Sequence, residues 1–448
     1  MYNQPLYESV GKPFKKLNIG LFTDTFTPDI NGVSISVATL RQQLIAMGHN
    51  VYVITPTLDT KLLWTTFEKD GILRIPSIKL KKLYGYRISR PFSIRALEFI
   101  KSMNLDIIHV HTEFGIRILS EWISSIFAIP FIYTYHTMYE DYTHYVTHGH
   151  FTNVSKKLVT WYSKVLVNKA NEIIVPSVKT SDALHAYGVE KEIHLIPTGI
   201  DIKRFNRDNV DKNVVGELKT KYNLNGKFVM TYIGRFAPEK SVDLVINALP
   251  ELIKKIPDLL FLVVGYGPSF EDLNNLVTKL NISEHVIFTG KQPANLIQNF
   301  YALGDVFVSA STSETQGITY IEAMANGLPV IARYDECLEG VLIEEKTGYF
   351  FTNPQEFIEK MVKFYKSSDE HKSNMNKNVL EKATEYSLET FGNKIIAVYN
   401  KAIDERDISQ ITKNRKNNAK PVKKLVKTVE KKKYEFTNEV RDLIKKIK

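Results

Sequence analysis

Short runs of β-branched and aromatic residues alternate along the chain with stretches whose apolar positions recur every three or four residues. LNIGLFTD opens the alternation, a helical pattern over 34–47 follows, and NVYVITP, DIIHVH, FIYTYHT and EIIVPS come next. Strands interleaved with helices predict βαβ units and hence a parallel sheet. The rhythm restarts after IPTGID: KFVMTYIG, a helix over 244–253, LLFLVVGYG, a helix over 273–280, HVIFTG, DVFVSAS, a helix through Glu322, then LPVIAR. Pro197 and Gly199 interrupt the pattern between the two sets, so a boundary is expected at 197–201. The most apolar longer stretch, 118–135, carries Glu121 and is broken by Pro130; it reads as a helix followed by a buried strand, not a membrane span. The expected fold class is α/β, two Rossmann-like doubly wound halves facing a cleft.

Composition agrees with two cores, since 448 residues, 44% hydrophobic and 24% charged, exceed what one ordinary core accommodates. The first sixteen residues lack an apolar stretch of signal-peptide length, and the single cysteine, Cys337, has no internal partner. A reducing, cytoplasmic setting is the expectation. The net charge of +10 lies wholly in the segment 413–448, which holds 14 basic and 4 acidic residues and leaves 45 of each in the remainder. That balance, with no basic stripe and no reader motif in the body, argues against a nucleic-acid partner.

In open α/β sheets the ligand crevice lies beyond the carboxyl ends of the strands, and Gly32, Gly234, Gly265, Gly267 and Gly317 cluster at such ends. The stretch GRFAPEKS leaves a strand and opens a helix. There Arg235 offers a planar fork, Lys240 a compact charge, and the helix terminus unpaired N–H groups, a combination suited to a diphosphate. A surface salt-bridge loop is the other reading. In SETQGITYIEAMANGLPVIA, Glu314 would lie in a loop and Glu322 two helical turns on, so both could face one ligand from different heights. One would meet a sugar and the other a ribose, whose vicinal hydroxyls suit a carboxylate acceptor, while the N–H groups of Thr315, Gln316 and Gly317 could hold a sugar or phosphate oxygen. Two solvated helix charges remain the alternative. The turn at Gly265 and Gly267 would let backbone approach a flat base, and Gly32, in NGV before a helix, would let it approach a phosphate or an acceptor. His136 ends an apolar strand run and so is aimed at the crevice, either to bond a sugar hydroxyl or as a satisfied structural histidine. Asp141, His144, His148 and His150 match no common metal-ligand spacing, so no metal is expected. No nucleophile-elbow signature supports a hydrolase.

Taken together these segments resemble the family-four glycosyltransferases, retaining enzymes of the GT-B fold whose signature includes two glutamates separated by seven residues, here Glu314 and Glu322. NGVSISV, PTGID, GRFAPEKS, GYGP and SETQGITYIEAMANGLPVIA occur in the family's order, and HTEFGIR and YTYHTMYEDYTHY look like the bacterial diacylglycerol α-glucosyltransferases within it. The resemblance implies transfer of glucose from UDP-glucose to the 3-hydroxyl of 1,2-diacylglycerol, with retention and no obligatory cofactor or metal. It implies that Arg235 and Lys240 neutralise the leaving diphosphate, Glu322 binds ribose, Glu314 holds the donor sugar and His136 bonds a sugar hydroxyl. Gly32 would line the diphosphate side of the cleft, and the HVIFTG strand end near Val286–Gly290 would meet the uracil. In the family the chain resembles, the nucleotide departs from the face that the acceptor attacks, which implies no protein nucleophile and a dominant role for charge stabilisation. The implied organisation is an acceptor and membrane half over 1–197, a nucleotide-sugar half over 198–385, a helix over 386–405 returning to the first half, and a tail over 413–448.

Two segments point to an anionic membrane surface. Lys79, Lys81, Lys82, Arg87, Arg90 and Arg95 interleave with Tyr84, Tyr86 and Phe92 without an acidic residue, a basic and aromatic mixture suited to the interface. The tail spaces Val422, Leu425, Val426 and Val429, then Phe436, Val440, Leu443 and Ile444, along one helical face that Lys432 and Lys433 interrupt, giving one interfacial helix or two. A solvated charge run or a coiled-coil helix are the competing readings. Other lipid, polyprenyl-linked or soluble acceptors, a UDP-galactose donor, and a non-enzymatic membrane-binding protein on the same scaffold stay open at this stage.

Overall fold

The computed structural model describes residues 15–414 except 30, 59–63, 80–86, 90–93, 114 and 137–152. Runs such as Ile107–Val110 and Leu259–Val264 are buried along their whole length, the signature of parallel strands covered on both faces. They assemble into two sheets. The first has eight strands in the order β10 (Ile193–Leu195), β9 (Glu172–Val175), β8 (Phe131–Thr134), β7 (Ile107–Val110), β1 (Asn18–Phe22), β2 (Asn50–Pro56), β4 (Ile72–Ile75), β3 (Thr66–Phe67), parallel but for the short β3 at the edge. The second is wholly parallel, in the order β13 (Val286–Gly290), β12 (Leu259–Val264), β11 (Phe228–Ile233), β14 (Val306–Ser309), β15 (Val330–Arg333), β16 (Gly348–Phe351). A separate ribbon pairs β5 (Ser77–Lys79) with β6 (Arg87–Ser89) antiparallel, in the basic segment whose residues 80–86 and 90–93 lie outside the described residues.

Helices cover both faces of each sheet, as right-handed parallel crossovers require. On the second sheet Val245, Leu249 and Leu252 of the helix Val242–Lys255 pack with Phe261 and Val263 in one core, while Ile321 and Met324 of the helix Ile318–Ala325 join Phe307 and Leu262 in the other. The last helix, Leu388–Asn414, inserts Phe391, Ile395, Tyr399 and Ala402 beside Val37 and Leu40 in a core of the first sheet. The chain therefore crosses between the halves twice, and the crossings lie side by side: Ile200 N–H donates to the Tyr386 carbonyl at 2.8 Å, and Ile200 bridges Ser387.

In the second sheet the strand order reverses between β11 and β14, whose neighbours lead away in opposite directions. The loops after these two strands are Gly234–Lys240 and Ser311–Gly317, so the topology brings the two chemistry-bearing motifs to one crevice. Among the described residues no helix is long and apolar enough to cross a membrane.

Candidate functional site

Beyond β11 the chain turns through a short 3-10 helix, Pro238–Lys240, into the helix starting at Val242. Lys240 Nζ donates to Glu314 Oε1 at 2.6 Å, joining the two loops across the strand reversal, with the side chains 21% and 19% exposed. Arg235 is placed differently from its expected partner role. Its guanidinium is 62% exposed and pairs with Glu239 Oε1 at 2.8 Å, whereas Lys240 is the cation that reaches across to Glu314. Tyr232 supports the loop from below, its hydroxyl donating to the Arg235 carbonyl at 3.1 Å.

The turn after β12 lies backbone to backbone against this loop. Tyr266 accepts from Phe236 N–H at 3.3 Å, and Phe236 accepts from Ser269 N–H at 3.1 Å. A Cβ on Gly267 would sit 2.1 Å from the Phe236 carbonyl oxygen, so the close approach, not a ligand, already demands glycine.

Gly317 starts the helix Ile318–Ala325 in the left-handed region, φ 71°, and there the chain leaves the Glu314 loop. One turn in, Glu322 Oε2 accepts the Tyr301 hydroxyl at 2.8 Å. Burial raises the Glu322 carboxyl from 4.5 to about 7, against the opposing hydrogen bond from Tyr301 and the charge of Arg204. Tyr301, in turn, is pushed well above its ordinary range by burial and by Glu322. The sequence reading missed Tyr301, which lies 21 positions away on another helix.

One expected ligand contact, at Val286, is corrected, and at Gln316 the expectation falls on the backbone N–H rather than the side chain. The side chain of Gln316 is spent on the chain itself: its Oε1 accepts Thr198 N–H and its Nε2 donates to the Thr198 carbonyl, both at 2.9 Å, tying the donor-side loop to the first crossing between the halves. Thr315 stays half-buried beside it. Val286 opens β13 and is buried in the core with Phe261 and Val263, four residues and roughly 13 Å of strand from the carboxyl end at Gly290, so it cannot meet a ligand there. Thr289 and Gly290 occupy that end.

The first half contributes an edge of polar groups. Asn31 caps its helix, accepting Ser34 N–H at 2.9 Å and donating to Thr25 Oγ1 at 2.7 Å, which holds the exposed Gly32 at the first helical position. Beyond its own stretch of chain, no described residue lies within 4 Å of where a Cβ on Gly32 would sit. His136 follows β8, and its Nε2 is 3.0 Å from His111 Nδ1 after β7. Burial lowers His136 to about 4, so it is neutral at pH 7. HVH at the end of β7 continues the strand alternation so that His109 and His111 share a side, which is the sequence signal for this cluster.

Two further contacts close the halves together. Lys179 Nζ bonds both Asp335 oxygens, at 3.0 and 3.1 Å, and the Thr312 carbonyl at 3.1 Å. Ser36 Oγ and Thr198 Oγ1 are 2.8 Å apart. No group of three potential metal ligands occurs among the described residues, and the segment with Asp141, His144, His148 and His150 lies outside them. Lys240 and Glu314 thus pair a cation with a carboxylate between the two loops, and the first half offers a neutral imidazole at His136, group types that suit a phosphorylated, hydroxyl-rich ligand.

The pattern of the family Glycosyltransferase Family 4 matches residues 30–204, and that of Glycosyl transferases group 1 matches residues 215–382. The chain is similar to the alpha-monoglucosyldiacylglycerol synthase of Streptococcus pneumoniae, 35% identical over 390 residues that cover 86% of each chain. It is 33% identical over 398 residues to the enzyme of that name from Acholeplasma laidlawii, covering 87% of this chain and 98% of the other. Among solved structures, Anabaena HepE in complex with UDP-glucose matches with a TM-score of 0.65 at 18% identity over 86% of this chain and 99% of that one. Sucrose-phosphate synthase from Thermosynechococcus elongatus matches equally, TM-score 0.65 at 20% identity, over 86% and 99%. These likenesses show a shared fold, GT-B.

Proposed function

The chain belongs to glycosyltransferase family 4, and from that premise we propose that it transfers glucose, with retention, from UDP-glucose to the 3-hydroxyl of 1,2-diacylglycerol. The observation that carries this reading is the 35% and 33% identity, over most of the chain, to two enzymes named alpha-monoglucosyldiacylglycerol synthase. The crevice geometry supports it. Lys240, held 2.6 Å from Glu314, supplies the charge that a departing diphosphate needs. Glu322 accepts the ribose hydroxyls as an anion, the Glu314 loop with Thr315 and Gly317 holds the sugar, and neutral His136 bonds a sugar hydroxyl. Arg235, exposed beside Glu239, turns inward to the diphosphate when the nucleotide binds. The UDP oxygen takes the acceptor proton as the new bond forms on the same face, so no side chain acts as nucleophile.

The acceptor belongs to the first half, 1–197, and the nucleotide sugar to the second, 198–385, with 386–405 returning to the first. The enzyme works at the inner face of the membrane, held through anionic lipids by residues 79–95 and by the tail 413–448, most of which lie outside the described residues. The test is UDP release from UDP-glucose by purified protein, with and without vesicles of diacylglycerol and anionic lipid, followed by product identification. Vesicle-dependent α-glucosyl diacylglycerol is the expected result. Turnover independent of lipid would overturn the acceptor, and a galactosyl product formed preferentially from UDP-galactose would overturn the donor.

A further inference from the structure

The crevice end of the first sheet carries three imidazoles, of which the proposed reaction uses one. His109 is fully satisfied: its Nδ1 lies 2.7 Å from the Tyr399 hydroxyl on the last helix and its Nε2 lies 2.6 Å from Thr134 Oγ1. His111, whose N–H extends the ladder to the Phe22 carbonyl at 2.9 Å, packs its ring 4.1 Å from that of His109. On its other side it stacks on His136, centroids 5.3 Å apart and planes 26° from parallel, and bonds His136 Nε2 through Nδ1 at 3.0 Å. His111 Nε2 is buried and has no hydrogen-bond partner among the described residues.

Burial, then the neighbouring rings, holds His111 well below the ordinary imidazole range, and burial holds His136 at about 4, so both are neutral at pH 7. Two neutral imidazoles sharing one hydrogen bond have linked tautomers, because one of the facing nitrogens carries the proton and the other is bare. If His136 Nε2 donated, the proton of His111 would be driven onto its Nε2, a buried N–H with no acceptor. If His111 Nδ1 donates, His111 Nε2 keeps only an unused lone pair, the less costly orphan. In that arrangement the proton of His136 sits on Nδ1, a nitrogen with no bond to any described residue.

We propose that His111 is a positioning residue that locks His136 into the Nδ1–H tautomer, so that His136 meets its ligand as a hydrogen-bond donor and selects an acceptor oxygen. The proposal rests on the reading of His136 as a group that faces the donor sugar. It adds that the sugar oxygen at this point must accept, and that the choice is made by a residue that does not touch the sugar. The packing of His109 against Tyr399 fixes His111 in turn, so the last helix braces the stack from beneath.

The tautomer is measurable without substrate. In protein labelled with 15N at histidine, two-bond proton–nitrogen correlations identify the protonated nitrogen of each neutral ring, and His136 is assigned by its absence in His136→Gln. The wild type is expected to show His136 protonated at Nδ1. His111→Phe, which keeps the ring but removes the donor, is expected to give mixed tautomers at His136 and to lower kcat by roughly fivefold to tenfold, the scale of one hydrogen bond, with donor KM nearly unchanged. His111→Asn, whose amide can donate from about the Nδ1 position, is expected to restore the tautomer and most of kcat. An Nε2–H tautomer in the wild type, or an unchanged tautomer in His111→Phe, would overturn the proposal, as would failure of His111→Asn to rescue when it melts like the wild type. A wild type that turns over no UDP-sugar refutes the proposed reaction instead, and leaves the tautomer measurement to decide the role of His111.

Discussion

Replacing Glu322 by Gln removes a charge that the folded protein disfavours. Burial outweighs the Tyr301 hydrogen bond and the charge of Arg204, and the carboxyl rises from 4.5 to about 7. The unfolded chain ionises near the lower value, while the native protein keeps its proton up to the higher one. Between them the native state binds more protons than the unfolded state, so stability is full below pH 4.5 and falls as pH climbs to about 7. At 1.36 kcal/mol per unit, the loss across that window is at most about 3 kcal/mol, an upper bound because the side chain is half-buried in the crevice wall. Gln keeps an acceptor for the Tyr301 hydroxyl, 2.8 Å away in the wild type, and cannot ionise. The two proteins should therefore melt nearly together at about pH 5, and the variant should lead by up to roughly 6–12 °C at pH 8, at about 2–4 °C per kcal/mol for a half of this size. Differential scanning calorimetry at several pH values between these limits reads the difference. Saturating UDP should narrow the gap, because ribose hydroxyls favour the ionised carboxylate. Parallel pH profiles for the two proteins would refute the reasoning, since the carboxyl would then ionise equally well folded and unfolded.

Three other substitutions bear on the site. Lys240→Met removes the cation 2.6 Å from Glu314 and should lower kcat/KM for the donor by roughly 10²–10³, whereas Arg235→Met, at a 62% exposed side chain, should cost distinctly less in the same steady-state assay; equal losses would contradict the assignment of Lys240 as the crevice cation. Gln316→Ala orphans the Thr198 N–H and carbonyl, each now bonded at 2.9 Å, and a destabilisation of about 2 kcal/mol is expected in urea unfolding; an unchanged midpoint would mean that water replaces both bonds. In Gly267→Ala the new methyl would lie 2.1 Å from the Phe236 carbonyl oxygen, so the Gly234–Lys240 loop must shift, and a loss of about 1–3 kcal/mol together with a raised donor KM should follow; wild-type KM and melting temperature would show the two turns to be looser than the structure has them.

Ten of the fourteen strands in the two sheets were legible because buried parallel strands read as short apolar runs, as in LLFLVVGYG and HVIFTG. Four escaped: Ile193–Leu195, with one buried residue in three, Thr66–Phe67, only two residues long, and the four-residue strands Ile72–Ile75 and Gly348–Phe351. The neighbouring placement of GRFAPEKS and the Glu314 loop could be inferred, since both follow strands and ligands gather at carboxyl ends. The same rule, applied to the direction of β13, separates the two ends of the expected Val286–Gly290 stretch and leaves only Gly290 at the crevice.

The amino-acid order alone determined the alternation of strands and helices, the restart at Gly199, the family and the chemical inventory of Lys240, Glu314, Glu322 and His136, because these depend on local propensity, short-range periodicity and residue type. What each side chain faces was decided only by the tertiary structure. Gln316 meets Thr198 across 118 positions, His109 meets Tyr399 across 290, and Lys179 meets Asp335 across 156. Such contacts follow from the two crossings between halves and the docking of the last helix on the first sheet. No local pattern encodes them, since each partner's own neighbourhood is satisfied by helix or strand bonds whether or not the other arrives.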